Sequence, residues 1–462
     1  MIQMTSFDFG YAQEDITPKY GLPLCGYFNP RPNKGAYDRL RLKAAVFRTG
    51  GSEYAALVSM DLCYVTAAFI RDTDSVIKRE LPELAGKVMY CATHTHTGPF
   101  SSKPGGFAAG ENEEEIVMRY IEFLKERIKD LAVLAMQTLK PAKMGYAIGH
   151  APDRIAYIRR YKMKDGSTQT CPPVNDPNID HPIGTLDQRV NVIRFDREGA
   201  ESVVILNYGI HADTVNGDMV SSDWCGWTRR TLEKVLDGTK CLCIMGAQGD
   251  VGSTNVHPLP GDMNDTEISF DNEMKSPGMA RFVGRALAGT VLQVFDKVAY
   301  IDVDDIDVIH RSISIPANNP TPEEMPAARK IKELHDAGRD DLIPFEAMEL
   351  TTVVAEANRM IRLEKGPYEF PAELMGLRIG KLVLTTIPGE PFTNIGERIK
   401  EIPGWEIVVP CAIANGSMGY FPNNSAYDEG GYETRASSYK RGVADVLVNE
   451  SAAMLNELKE RI

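Results

Sequence analysis

Two of the chain's eight histidines stand in the run Thr93-His94-Thr95-His96-Thr97, directly after the apolar segment 88–92. In an extended segment, residues i and i+2 point to the same side. His94 and His96 are therefore expected to face one point at the C-terminal end of a strand, where open α/β sheets place their ligands. His211, in Leu206-Asn207-Tyr208-Gly209-Ile210-His211-Ala212-Asp213, follows a second apolar strand, and Glu390 follows a third. Pro388, Gly389 and Pro391 hold Glu390 in a sharp turn. Each residue has an ordinary reading of its own: histidines in a polar loop, a hydrogen-bonded core histidine, a surface glutamate. Imidazoles and a carboxylate recurring at strand ends point instead to a catalytic zinc site, which takes nitrogen and carboxylate ligands and leaves one position open for water.

The segment 246–255, Gly-Ala-Gln-Gly-Asp-Val-Gly-Ser-Thr-Asn, also follows a strand, and its glycines allow close backbone approach to a ligand. It lacks the Gly-Lys-[Ser/Thr] of a phosphate-binding P-loop and is not a dinucleotide fingerprint. The chain has no Gly-x-Ser-x-Gly elbow.

The elements that must position these residues are legible as hydrophobic patterns. Residues 43–48 and 54–60 read as strands about a Gly-Gly turn, and 88–92, 190–195, 203–208 and 241–245 as further apolar strands. Helices are predicted over 66–81, stopped by Pro82, and over 227–236, 279–298, 323–337, 345–363 and 442–461. Another starts at Asn112 as cap, with Glu115 reciprocal, and carries the stripe Ile116, Tyr120, Ile121, Leu124, Ile128 and Leu131. Residues 299–315 alternate as an antiparallel strand or hairpin with one wet face, 316–326 form a Pro/Asn-rich connection, and 377–387 a strand pair about Gly380-Lys381. The mixture predicts an α/β fold with mixed β-sheets flanked by helices.

The 462 residues, 43% of them hydrophobic, are enough for two or three domains or one large unit. A net charge of −13 argues against nucleic acid as a partner. No apolar run approaches the ~18 residues of a membrane span. The N-terminus has neither a basic nor an apolar signal region, and eight cysteines without a CxxC pair read as reduced, mostly buried thiols. These features predict a cytoplasmic enzyme or soluble binding protein, without stable membrane insertion; a small molecule is the expected partner, and oligomeric state is left open.

The order of the segments resembles the neutral/alkaline non-lysosomal ceramidase family. The resemblance rests on Gly10-Tyr-Ala-Gln-Glu-Asp-Ile-Thr-Pro18, Gly26-Tyr27, Asp38-Arg-Leu-Arg-Leu-Lys-Ala44, Met60-Asp61 and Thr93-His-Thr-His-Thr-Gly-Pro99. It continues with His211, Ser222-Asp223, Gly249-Asp250-Val251, Pro388-Gly-Glu390, Gly419-Tyr420 and Tyr432-Glu433, over nearly the whole chain. It implies a single large catalytic domain over 1–462, αββα-like in its layers, with a possible sub-division near 300–320. It implies one Zn2+ per chain held by His94, His211, Glu390 and Tyr420. His96, Tyr432 and an arginine would lie beside the metal; Arg159 is the match, with Arg154 or Arg160 as alternatives. Asp223, Asp250 and Ser253 would support the site or the substrate.

The activity so implied is hydrolysis of a linear amide, or N-acyl, bond by metal-activated water. Two departures bear on the substrate. Gly252 stands where the family commonly carries a serine, and the chain stops where family ceramidases often continue into a C-terminal β domain. Both turn the expected substrate toward a soluble N-acyl compound. A true ceramidase is the alternative, and ester, lactone or glycoside hydrolysis on the same metal site a further one.

Overall fold

A computed structural model describes residues 7–27, 31–103, 111–262 and 275–461. The apolar runs become strands. Arg41–Thr49 and Glu53–Met60 form an antiparallel pair across Gly50-Gly51, and Val88–Ala92 adds in parallel. Ser202–Tyr208 pairs antiparallel with Arg189–Arg197 and parallel with Thr239–Met245. These blocks belong to one nine-stranded sheet, joined through Asp8–Asp15 and Lys140–His150, two strands that the sequence pattern does not announce. A four-stranded sheet runs in the order Ile306–Pro316, Glu369–Ile379, Leu382–Ile387, Ile407–Ala412, with its last junction parallel.

The two sheets face each other across a shared core that includes Phe9, Phe47 and Phe195 from one and Leu377, Leu384 and Val409 from the other. Side chains alternate across a strand. Along Ser202–Tyr208, Val203 and Ile205 enter this inter-sheet core, while Val204 and Leu206 face outward to helices. Asp223–Val235 and Pro277–Phe295 cover that half through Leu232, Val283 and Leu287. Ala67–Glu80 and Glu111–Gln137 cover the other half through Ile77, Leu124 and Ile128. Thr393–Lys400 and Val443–Glu460 cover the smaller sheet through Ile395, Ile399 and Leu455. Each such buried side chain contributes roughly 1.5–3 kcal/mol. The result is the expected α–β–β–α layering of mixed sheets.

The large sheet curls. The Lys43 ammonium donates to the carbonyl of Cys241, and Ser59 Oγ donates to that of Cys243 at 2.8 Å. Strands near one end of the sheet order thus bond backbone at the other end. Thr239–Met245 is an edge strand, and these donors occupy carbonyls that its ladder leaves open.

Three local expectations change. Residues 299–315 are not one hairpin: Ala299–Ile301 pairs with Lys140–His150 in the large sheet, whereas Ile306–Pro316 opens the smaller one. Ile306–Pro316 mixes buried and exposed positions, whereas Ala299–Ile301 is exposed or half-exposed throughout, and Val303 and Ile306 anchor the crossing at 302–305 in the shared core. The long helix begins at Glu111, so Asn112 lies inside it rather than capping it; the side chains of 111–113 are outside the described residues. The helix expected from 227 starts at Asp223, whose side chain accepts from the Trp224 amide at 2.6 Å.

Candidate metal centre

Strand ends bring the candidate residues together. His94 lies two residues past Val88–Ala92, yet its backbone is left-handed, with φ 60°. The extended i, i+2 geometry expected for His94 and His96 is therefore not how they meet. The reversal at His94 turns the two rings edge to face, centroids 4.8 Å apart and Nε2 atoms 3.4 Å apart. His96 packs on the backbone of Gly26, where φ is +103° and a Cβ would come within 2.7 Å of the His96 ring. His211 follows Ser202–Tyr208, and its amide donates to Val251 O at 3.2 Å. Glu390 follows Leu382–Ile387 and pairs in a short parallel ladder with Tyr420, which sets both side chains in register. The loop of Gly249 lies directly on this ladder: a Cβ there would stand 2.5 Å from the Glu390 carbonyl.

Two backbone contacts fix the imidazoles. His94 Nδ1 is 2.8 Å from Cys63 O, and His211 Nδ1 is 2.8 Å from Gln248 O. A carbonyl only accepts, so both Nδ1 atoms carry protons, and each Nε2 is the free lone pair. Both Nε2 atoms face one carboxylate oxygen, Glu390 Oε2, at 3.3 Å from His94 and 3.1 Å from His211. That oxygen is buried and has no hydrogen-bond partner. Lone pairs converging in a buried space require something positive between them.

The separations match an ion. Ligands at the ~2.0–2.1 Å zinc–nitrogen and zinc–oxygen distances of a tetrahedral site stand roughly 3.3–3.4 Å apart. His94, His211 and Glu390 offer one ligand atom each, all within 4.8 Å of one another, and Tyr420 stands opposite Glu390. A second cluster, Cys63, His94 and His96, is also compact. It fits an ion less well, because the His94 nitrogen nearest Cys63 Sγ, at 3.9 Å, is Nδ1, already committed to a carbonyl.

The electrostatics agree. Burial pushes the Glu390 carboxyl up, but His94 and His211 outweigh it and hold it well below the usual range. Burial lowers His94, and Glu390 more than offsets this, leaving it raised. Burial, then Arg159, brings His211 down to about 4. Burial brings His96 down to about 3.

One arginine is expected at the site, and of the match Arg159 and its alternatives Arg154 and Arg160, Arg159 is the one placed beside His211. Its Nη1 lies 3.4 Å from His211 Nε2, its Nη2 donates to Gly249 O at 2.8 Å, and its Cζ lies 5.3 Å from the Tyr420 ring centroid. Buried Glu433 holds it through a 2.7 Å ion pair. Arg160 turns to Glu429 and Gly430, and Arg154 to Asp262 on the surface. Tyr432 stands edge-on to Tyr420 at 5.7 Å. Burial holds the Tyr420 and Tyr432 phenols above their usual range.

The remaining expected residues act on loops. Asp223 accepts from the Thr214 and Val215 amides at 2.9 and 3.1 Å, tying down the segment after His211 rather than a histidine. Asp250 accepts from Thr393 N and Oγ1, both at 2.8 Å, clipping the glycine loop to the Glu390 turn. Ser253 is buried and bonds none of these side chains among the described residues.

Sequence reasoning missed Asp213. Its carboxylate lies 3.7 Å from His96 Nδ1, accepts from Tyr27 Oη and is 2.9 Å from Lys275 Nζ. Lys275 and His96 outweigh burial and hold it low. The i+2 spacing from His211 was an available signal; Tyr27 and Lys275, distant in sequence, gave none.

No protein-family model matches the chain, and no curated protein matches it significantly. Solved structures do. The neutral ceramidase from Pseudomonas aeruginosa superposes with a TM-score of 0.72 at 20% identity, over 99% of this chain and 75% of that one. A ceramidase complexed with C2 superposes at 0.71 and 18% identity, over 99% and 76%. The chain has the neutral ceramidase fold. In that fold's terms, the site sits where the ends of three strands, one from the smaller sheet, meet two loops. No helix among the described residues is long and apolar enough to cross a membrane.

Proposed function

We propose that the chain is a zinc-dependent hydrolase of an N-acyl amide bond, with one ion held by His94, His211, Glu390 and Tyr420. The observation that carries the reading is the convergence of the His94 and His211 Nε2 atoms on a buried Glu390 oxygen that has no hydrogen-bond partner. When bound, zinc supplies a Lewis acid and brings the pKa of water from roughly 15.7 to about 7.

The surrounding side chains divide the remaining work. Arg159, fixed by Glu433 and Gly249, keeps a permanent positive charge beside His211 and stabilises the oxyanion that develops from the amide carbonyl. Tyr432 keeps its phenolic proton at neutral pH and can donate it to the leaving nitrogen. His96 is neutral at that pH and adds an uncharged polar ring beside the metal ligands, with Asp213 near its Nδ1. A serine nucleophile has no support at position 252, where glycine leaves only the wall of Arg159, 3.8 Å from a notional Cβ.

Soluble N-acyl compounds and ceramide are both admitted by this chemistry, and the likeness in fold to two ceramidases favours ceramide as much as the former. Metal content and hydrolysis of polar N-acyl compounds and detergent-dispersed ceramide, measured for wild type and His94→Ala, test the proposal. Wild type should hold about one zinc per chain and turn over one of the two classes, and the variant should lose both properties. A variant that keeps metal and activity, or a wild type that takes up no zinc and stays inert to amides, would sink it.

A further inference from the structure

A cavity of about 540 Å³ lies between Tyr20, Tyr37, the start of Arg41–Thr49 and the helix Asp223–Val235, and none of the chemistry above uses it. Its wall carries five cations, Arg39, Arg41, Lys43, Arg229 and Arg230, against two carboxylates, Asp38 and Glu233, in a chain of net charge −13. Such local reversal of sign marks a place where an anion gains.

The cations are not used up internally. Arg229 is, by a bidentate pair to Asp61 with both contacts at 2.7 Å, and Arg39 stands 3.7 Å from Asp15. Arg41, however, has no ion pair and no side-chain hydrogen bond among the described residues. Arg230 keeps Nη2 buried without a hydrogen-bond partner, 3.7 Å from Asp38. Asp38 is itself committed: it accepts from Ser221 Oγ at 2.8 Å and from the Ser222 amide at 2.7 Å. Lys43 faces the cavity from the sheet and uses one donor on Cys241 O, with Glu233 at 3.5 Å. Arg230 donates Nε to Gly226 O at 3.3 Å and lies over the Trp227 ring, which leaves its Nη end for a ligand; that end, the Arg41 fork and the Lys43 ammonium suit a phosphate dianion better than a planar carboxylate, for which one fork suffices.

The rim adds a second chemistry. Tyr20 and Tyr37 line the same cavity and are 78% and 45% exposed. Flat aromatic faces beside an anion pocket suit an organic group carrying the phosphate. The floor is preorganised: Asp61, which fixes Arg229, also accepts from Thr93 Oγ1 at 3.2 Å, so little ordering remains to be done on binding.

We propose that this cavity binds a phosphate monoester, with the phosphate against Arg41, Arg230 and Lys43 and the organic part against Tyr20 and Tyr37. The proposal is independent of the reaction assigned to the zinc centre. Calorimetric titration of the full-length protein at low salt with inorganic phosphate and with phenyl phosphate tests it. Both should bind, phenyl phosphate several-fold tighter. Arg41→Ala and Arg230→Ala should each weaken both by tenfold or more, with unchanged circular dichroism. Tyr37→Ala should bring phenyl phosphate toward the level of phosphate, and His211→Ala should leave both affinities intact. Absence of binding, binding that survives both arginine substitutions, or binding lost in His211→Ala, which would place the anion at the metal centre, overturns it.

Discussion

Two buried charged clusters flank the histidine run, and they differ in one respect. Behind it, Asp61 meets Arg229 through two 2.7 Å contacts and accepts further from the Arg41 amide and Thr93 Oγ1, so every charge has its counter-charge. In front of it, Glu390 meets two imidazoles whose protons point away. Burial is the same in kind. The first cluster is complete as protein, while the second groups atoms that could hold a metal ion. Depth of burial therefore does not separate a structural ion pair from a candidate site; the balance of donors and acceptors does.

That contrast can be broken by substitution. Asp61→Ala strands a buried guanidinium and should cost about 3–5 kcal/mol in denaturant unfolding. Asp61→Leu combined with Arg229→Met should recover most of this, because an apolar pair replaces both charges. Loss of stability in the double variant as large as in the single one would mean that the pair does more than balance charge. Glu390→Gln should do the reverse. Under the proposed function it lowers turnover more than about a hundredfold, the upper end of what even outer partners of a metal contribute, and metal content falls with it, while unfolding changes little. A variant that unfolds easily but still binds metal would reverse the two roles.

Chelation sharpens the same comparison from the ligand side. An ion that binds only the folded chain and is present at a hundred times its Kd stabilises by about 2.7 kcal/mol. Treatment with chelator should therefore lower the Tm of wild type and leave that of Glu390→Gln in place, as read by calorimetry. Equal shifts in both would remove the ion from this centre.

The smallest effect is a pH dependence at Lys43, which sits between the clusters' surroundings and the sheet. Burial, then Arg229, brings its ammonium down to about 8 from 10.5. Between these values the folded chain has released a proton that the unfolded chain still holds, so stability rises with pH across that window. Relative to wild type, Lys43→Met should be stabilised at pH 7, and the difference should shrink from about pH 8 to pH 10.5 in paired urea titrations. A difference independent of pH would mean that burial leaves the Lys43 ammonium at its ordinary value.

How far the sequence reached depends on whether a signal is local. Residues 88–92, 203–208 and 241–245 are buried on both faces, so their unbroken apolar runs announce strands. Asp8–Asp15 and Lys140–His150 join the halves of the large sheet yet are rich in charge, glycine and half-exposed positions, and only tertiary pairing makes them strands. His94, His96, His211 and Glu390 were readable because they stand where apolar runs stop. Tyr420, Tyr432 and Arg159 carried no local signal and came from family resemblance alone. The pairing of Asp213 with Tyr27 spans 186 residues and is a product of the fold. The left-handed turn at His94 was invisible because histidine gives no warning of positive φ, as glycine would.

That turn has a consequence for evolution in the laboratory. A non-glycine residue held at φ 60° stores strain of order 1 kcal/mol or more. Glycine at position 94 would relieve it and discard the imidazole in one step. Selection of this chain for thermal robustness in the presence of chelator, where no bound ion offsets the strain, is therefore drawn toward an inert scaffold.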